Sequence, residues 1–203
     1  VFFFCTEYAN PATLGPMPVW QKLLNAFFQS ASLRTAGFYA IDQGALTDTA
    51  TAGCILLMLV GGSSGSTAGG LKTVTLGVLL LSMGAGLRGR ETVVFRGRQI
   101  PPKQVLSALT LVQTMGVVFL TASMAIALAD SVPFLQAAYE AASAIATVGL
   151  TTGITPGLSL FSHLLLIAMM YLGRVGVLSF SLAFLSGGTA ERIQYPETSV
   201  MIG

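Results

Sequence analysis

The sequence predicts an all-α membrane protein built from one unit used twice: membrane helix, half-helix, extended loop, membrane helix. Three observations lead there. Hydrophobic residues make up 53% of the 203-residue chain, charged residues only 9%, and mean hydropathy is +0.77. A soluble domain carries about 25% charged residues, so too little polar chain exists to cover a water-facing globule. Several uncharged stretches reach the roughly 20 residues that a bilayer crossing needs. Finally, sliding the chain against itself by 112 residues brings the same order of elements into register. Net charge is +2, too balanced for a nucleic-acid face or an acidic ligand.

The elements follow in order. The opening Val1-Phe2-Phe3-Phe4 reads as the outer end of a helix cut in two, so further sequence is expected before it, and no signal peptide is recognisable. Cys5 lies near the chain end and Cys54 inside an apolar run; both read as packing residues, with no disulfide or metal framework. Residues 19–34 follow Pro18 as an amphipathic half-helix, proline being a favoured helix start. An extended loop, 35–39, comes next. The stretch 45–87 has 43 uncharged or nearly uncharged residues, about 65 Å as a helix, twice a hydrocarbon core. Its middle is Gly61-Gly62-Ser63-Ser64-Gly65-Ser66-Thr67-Ala68-Gly69-Gly70, so a single broken crossing is expected. Residues 88–104 form a basic linker with Arg88, Arg90, Arg96, Arg98 and Lys103 opposed only by Glu91, which places it in the cytoplasm.

The second copy is complete: a helix over 105–129, a half-helix over 133–146 beginning at Pro133, a loop over 147–150, and an inner helix over 158–186. Parity then puts Asp130 outside and the tail 191–203 inside. In the 112-residue register Phe27 faces Tyr139, Leu46 faces Leu158, Met58 faces Met170, and Gly61-Gly62-Ser63-Ser64 falls on Gly173-Arg174-Val175-Gly176.

A half-helix that enters a bilayer and stops must bury its last carbonyls or aim them at something. Both half-helices run inward from outside, so their partially negative C-terminal ends favour a cation at the centre. The following loops, Thr35-Ala36-Gly37-Phe38 and Thr147-Val148-Gly149-Leu150, can offer backbone carbonyls in place of an ion's water shell. Glycine supplies backbone geometry that a Cβ resists.

These motifs, with Ser32-Leu33-Arg34 before the first loop, Leu71-Lys72-Thr73 after the glycine tract, Gly173-Arg174-Val175-Gly176 and Tyr195-Pro196-Glu197, resemble the Ktr/Trk/HKT potassium transporter superfamily, most closely its KtrB/NtpJ type of membrane subunit. The resemblance covers nearly the whole chain. It implies four membrane–pore–membrane repeats of the potassium-channel type around one pore, with 1–87 as a partial third repeat and 105–190 as a complete fourth. It implies a selectivity filter at Thr35, Ala36, Gly37, Phe38, Thr147, Val148, Gly149 and Leu150, with K+ on the carbonyls of Thr35, Ala36, Thr147 and Val148. It also implies a gate at Gly61, Gly62, Ser63, Ser64, Gly65, Ser66, Thr67, Ala68, Gly69 and Gly70, contacted by Arg174, with Lys72 in a similar position. Further implications are a homodimer, a KtrA-like cytoplasmic nucleotide-binding ring, residence in the cell membrane, and uptake of K+ with or without coupled Na+. Each filter loop keeps one glycine of the TVGYG pattern, which leaves channel-like and sodium-coupled transport both open.

Competing readings meet physical objections. A continuous helix through the tract would carry five glycines at about 1 kcal/mol each. A phosphate loop is spoiled by Leu71 between Gly70 and Lys72. The Gly62-Ser63-Ser64-Gly65 element resembles that of intramembrane serine proteases, with His163 as base. In the repeat register His163 lies opposite Thr51, about 20 Å in depth from Ser64, too far for a nucleophile and its base. A secondary transporter with broken helices around a small solute is the other alternative. Asp42 and Asp48 read as mouth or loop acids, and Glu140 as an acid at the mouth or a hydrogen-bonding group behind the half-helix.

Overall fold

The computed structural model describes residues 1–63, 69–90 and 92–176. Ser64, Gly65, Ser66, Thr67 and Ala68 of the expected gate, the inner-helix positions beyond 176 and the tail 191–203 lie outside the described residues. The described part is helical apart from loops and one small hairpin: α1 (Phe2–Glu7), α2 (Val19–Ser32), α3 (Asp48–Leu59), α4 (Thr73–Gly86), β1 (Val94–Phe95), β2 (Arg98–Gln99), α5 (Pro102–Asp130), α6 (Phe134–Ile145) and α7 (Leu160–Val175).

Helix α6 is the hub. Every residue from Ala137 to Ile145 is buried, and α3, α5 and α7 all pack on it. Its alanines, Ala137, Ala138, Ala141, Ala142 and Ala144, explain this: small side chains let helix backbones come close where the surroundings supply no hydrophobic drive between helices. Tyr139, fully buried on the same helix, fills the space toward α3 beside Cys54, Met58 and Leu33. Helix α2 behaves in the opposite way. Its buried positions are Lys22, Ala26, Gln29 and Ser32, while Trp20, Leu23, Leu24 and Phe27 stand exposed.

Helix α5 runs 29 residues with hydropathy 1.9, long and apolar enough to cross a membrane. Helices α3 and α4 are shorter apolar helices of 12 and 14 residues, so the stretch 45–87 is interrupted between Leu59 and Thr73. The interruption closes on itself, with Leu71 N–H donating to Leu59 O at 3.0 Å and Thr73 N–H to Gly62 O at 3.2 Å. Those bonds serve backbone groups that water cannot reach in a bilayer.

Some boundaries differ from the sequence reading. The half-helices stop at Ser32 and Ile145 rather than 34 and 146, because Thr35 and Thr147 take left-handed backbone angles (φ 70° and 54°) that end a right-handed helix. Pro18 stands just outside its half-helix as expected, and Pro133 does the same instead of occupying the first position. Helix α7 is described from Leu160 to Val175, and Gly176 after it turns to φ 90°, a conformation glycine adopts freely; the rest of the inner helix expected over 158–186 lies outside the described residues. The basic linker is also more ordered than composition suggests. Strands β1 and β2 pair antiparallel around Arg96-Gly97, both at positive φ (46° and 77°), the signature of a tight primed turn.

Two carboxylates staple helix ends in the same way. Asp130, the last residue of α5, accepts a bond from the N–H of Ser159, the cap of α7, at 2.8 Å, and another from the Ser162 hydroxyl. Glu7, the last residue of α1, accepts from the N–H and hydroxyl of Thr47, the cap of α3, at 3.0 and 2.6 Å. Thr47 and Ser159 coincide in the 112-residue register. A negative carboxylate at a helix N-terminus also meets the positive end of the helix dipole. Asp130→Ala is expected to destabilise the fold, because Ser159 N–H and the Ser162 hydroxyl lose their shared acceptor. A lowered apparent melting temperature of the full-length protein in detergent, relative to wild type, checks it.

Candidate functional site

Thr35-Ala36-Gly37 and Thr147-Val148-Gly149 share one backbone design. In each, the threonine and the glycine lie at positive φ: 70° and 78° in the first loop, 54° and 90° in the second. Alternating handedness turns successive carbonyls toward one side of a strand, which a uniformly extended strand cannot do. Left-handed threonine is costly for a β-branched residue, of order 1–3 kcal/mol, so both loops hold strain that their surroundings must offset.

Those surroundings are the ends of the half-helices. Ala36 and Gly37 N–H groups donate to Ser32 O at 3.0 and 3.3 Å, and Phe38 N–H to the Ser32 hydroxyl at 2.8 Å. In the second loop Thr147 N–H donates to Ala144 O at 3.1 Å, Val148 N–H to Ser143 O at 2.9 Å, and Gly149 N–H to the Ser143 hydroxyl at 3.2 Å. The loop donors are thus consumed by the helix they leave. Among the described residues no hydrogen bond ends on the carbonyls of Thr35, Ala36, Thr147 or Val148.

The two loops abut. A Cβ placed on Gly37 would run into the carbonyl oxygen of Val148 and lie 4.0 Å from the Gly149 Cα, whereas a Cβ on Gly149 would meet nothing within 4 Å. Gly37 is therefore needed for close approach as well as for its backbone angle, and Gly149 for its angle alone. Phe38 is exposed and Leu150 buried, so the residues after the two glycines are not equivalent.

Polar groups brace the loops from behind. Glu140, 4% exposed, accepts from the hydroxyl of Thr151 at 2.7 Å, the N–H and hydroxyl of Thr152 at 2.8 and 3.0 Å, and the hydroxyl of Thr155 at 2.9 Å. This is the hydrogen-bonding role open to it in the sequence. On the other side the Tyr139 hydroxyl donates to Gln43 Oε1 at 2.9 Å, Gln29 Nε2 donates to the same oxygen at 2.6 Å, and Gln43 Nε2 donates to Ile41 O at 2.6 Å. Tyr139 and Gln43 are 96 residues apart, so this chain of bonds ties α6 to the segment after the first loop. Neither glutamine is marked by any local pattern.

Below the loops lies the neck of the glycine tract. Gly69 N–H donates to the Thr147 hydroxyl at 3.0 Å, and Arg34 Nη2 donates to Gly61 O at 3.0 Å. Gly69, Gly70 and Lys72 line one cavity of about 200 Å³ with Gly173 and Arg174. The Gly173 backbone also closes on Ile145 O at the end of α6. Arg174 and the tract residues Gly69 and Gly70 therefore meet at one place beneath Thr147. His163 is elsewhere: it lies in the first turn of α7 with Nδ1 2.9 Å from Ser159 O, ten residues, or about 15 Å of helix, from Gly173. That separation keeps His163 away from Gly69 and Gly70, the described tract residues that share a cavity with Gly173. Asp42 accepts from Gly44 N–H at 2.9 Å and caps a short helical turn, Gln43–Ala45.

The comparisons with known proteins agree with this architecture. Residues 1–191 match the family described as TrkH, a cation transport protein. The chain belongs to the TrkH cation transport family. Among TrkH-family relatives, the potassium/sodium uptake protein NtpJ of Enterococcus hirae is 40% identical over the whole chain, which spans 46% of that protein. The Ktr system potassium uptake protein B of Bacillus subtilis is 40% identical over 98% of the chain and 45% of its own length. The crystal structure of the potassium transporter TrkH from Vibrio parahaemolyticus aligns with a TM-score of 0.68 and 21% identity, over 90% of this chain and 40% of that one. The TrkH fold is thus shared, and the chain spans less than half the length of the TrkH-family relatives it matches.

Glu140→Gln keeps the shape of the brace but replaces one accepting oxygen by a nitrogen that only donates. The expected result is a loss of about 1–3 kcal/mol, seen as a lower apparent melting temperature of the full-length protein in detergent.

Proposed function

We propose that this chain is the C-terminal half of the potassium-translocating subunit of a K+ uptake system, and that its two loops are two of four filter loops around one pore. The observation that carries the reading is the meeting of Gly37 with Val148 and Gly149, between two loops in which the N–H groups of Ala36, Gly37, Phe38, Thr147, Val148 and Gly149 turn back onto their helices. The carbonyls of Thr35, Ala36, Thr147 and Val148, on which no hydrogen bond ends among the described residues, then stand where a cation loses its water. A dehydrated K+ there is held by carbonyl dipoles and by the negative ends of α2 and α6. Relatives named potassium uptake proteins support potassium as the transported ion.

No bond is made or broken in the process. An ion sheds water at the filter, passes the Gly61–Gly70 tract and leaves to the cytoplasm. A membrane potential contributes about 2.3 kcal/mol per charge per 100 mV. Sodium coupling, where it operates, adds to that drive. The tract acts as the gate, with Arg174 beside Gly69 and Gly70 either pinning it shut or setting a positive barrier below the filter, and with Lys72 in the same cavity wall. The subunit spans the cell membrane several times as a homodimer, its basic linker and C-terminal end facing a KtrA-like nucleotide-binding ring in the cytoplasm.

The two filter glycines predict different failures. Gly149→Ser meets open space and perturbs only a left-handed backbone angle, so uptake is expected to persist with discrimination against sodium reduced by roughly tenfold, about 1.4 kcal/mol. Gly37→Ser puts a side chain into the Val148 carbonyl and is expected to abolish uptake. Growth and ion competition in a potassium-auxotrophic host expressing the full-length protein separate the two outcomes. Unchanged ion preference in Gly149→Ser would count against the filter.

A further inference from the structure

We infer that Tyr139 is a positioning residue for ion preference, its hydroxyl holding the first filter loop at a fixed distance from the second; this rests on the reading of the two loops as a filter. The loops are braced in different ways. In the second unit Glu140 on α6 accepts from the Thr155 hydroxyl at 2.9 Å and from both donors of Thr152, so the loop is tied back to the half-helix it leaves. In the 112-residue register Phe28 stands where Glu140 does, and Gln43 where Thr155 does. Phe28 is exposed and has no acceptor, so α2 lacks a carboxylate with which to brace its own loop. Gln43 Oε1 accepts instead from Gln29 Nε2 at 2.6 Å and, across the units, from the Tyr139 hydroxyl at 2.9 Å.

Consecutive residues of α6, Tyr139 and Glu140, thus hold the exits of both loops, and those exits touch. A Cβ on Gly44 would lie 2.6 Å from Thr152 O, just as one on Gly37 would strike Val148 O. Gln43 precedes Gly44 in the chain, and Thr152 is held by Glu140. The Tyr139 bond therefore sets the first loop against a neighbour that is already fixed. Carbonyl sites discriminate between ions by the size of the cavity or by the number and field of their oxygens, and each changes with the gap between the loops. The chain also accepts a cost here. Gln29 Oε1 is a buried acceptor with no hydrogen-bond partner among the described residues. Apolar side chains would avoid that loss, whereas a buried polar network rigidifies its surroundings and specifies one arrangement.

The test uses the full-length protein purified and reconstituted in vesicles, with K+/Na+ preference and apparent melting temperature measured on each variant. Tyr139→Phe keeps the ring and loses only the hydroxyl; K+/Na+ preference is expected to fall about threefold or more, the scale of one hydrogen bond. Gln43→Leu is expected to lower preference at least as far, and the double variant no further than Gln43→Leu alone, because the two changes remove one shared bond. Cys54→Ala alters a buried member of the cluster around Tyr139 outside the chain of bonds, and is expected to lower the melting temperature with preference as in wild type. Unchanged preference in Tyr139→Phe overturns the inference, as do additive losses in the double variant. An equal loss in Cys54→Ala overturns it by making Tyr139 a packing residue, and failure of both Tyr139→Phe and Gln43→Leu to accumulate does so by assigning the bonds to folding. A wild-type protein without K+-selective flux would instead remove the filter reading, an outcome separable from a selective wild type that Tyr139→Phe merely matches.

Discussion

The arrangement depends on where the N–H groups of two short loops go. In an environment without water each backbone donor must find an acceptor inside the protein. Here Ser32 and Ser143 supply both a carbonyl and a hydroxyl at the ends of α2 and α6. With the donors turned to one side, the carbonyls of Thr35, Ala36, Thr147 and Val148 accept no hydrogen bond among the described residues. The left-handed threonines and glycines are the means by which the chain keeps that division for three residues in a row. Remove the serine acceptors, and nothing obliges the loops to hold so strained a path.

Everything around the loops can be understood as resisting that strain. Helix α6 is buried along almost its whole length, so the second loop starts from an immobile base. Glu140 gathers four donors from Thr151, Thr152 and Thr155 and fixes the chain as it leaves. The first loop has less helix behind it, since α2 leaves Trp20, Leu23, Leu24 and Phe27 exposed, and is held instead through Gln29, Gln43 and Tyr139. Glu7 and Asp130 hold the caps of α3 and α7, so each half-helix is flanked in sequence by two helices tied to one another.

The parts legible in the sequence were those with a local signal. Proline-led half-helices, Thr-x-Gly loops, a glycine tract in an overlong apolar stretch and a basic linker each announce themselves by composition or spacing, and the 112-residue register relates them. Bonds between distant residues carry no such signal. Arg34 stood in the motif without a role because its partner Gly61 is 27 residues away; Tyr139 and Gln43 are 96 apart. The Thr147 hydroxyl looked like part of a loop and proves to hold Gly69. The positive φ of Gly176, which closes the described part of α7, was hidden too, because hydropathy does not register a single backbone angle.

The central claim is that bare carbonyls of two abutting loops receive a dehydrated monovalent cation. Anomalous scattering from crystals of the full-length protein grown with rubidium or thallium tests it most directly. The account predicts density on the axis between the loops, within about 3 Å of the carbonyls of Thr35, Ala36, Thr147 and Val148. Density only in other places, with those carbonyls hydrogen-bonded to protein, would contradict it.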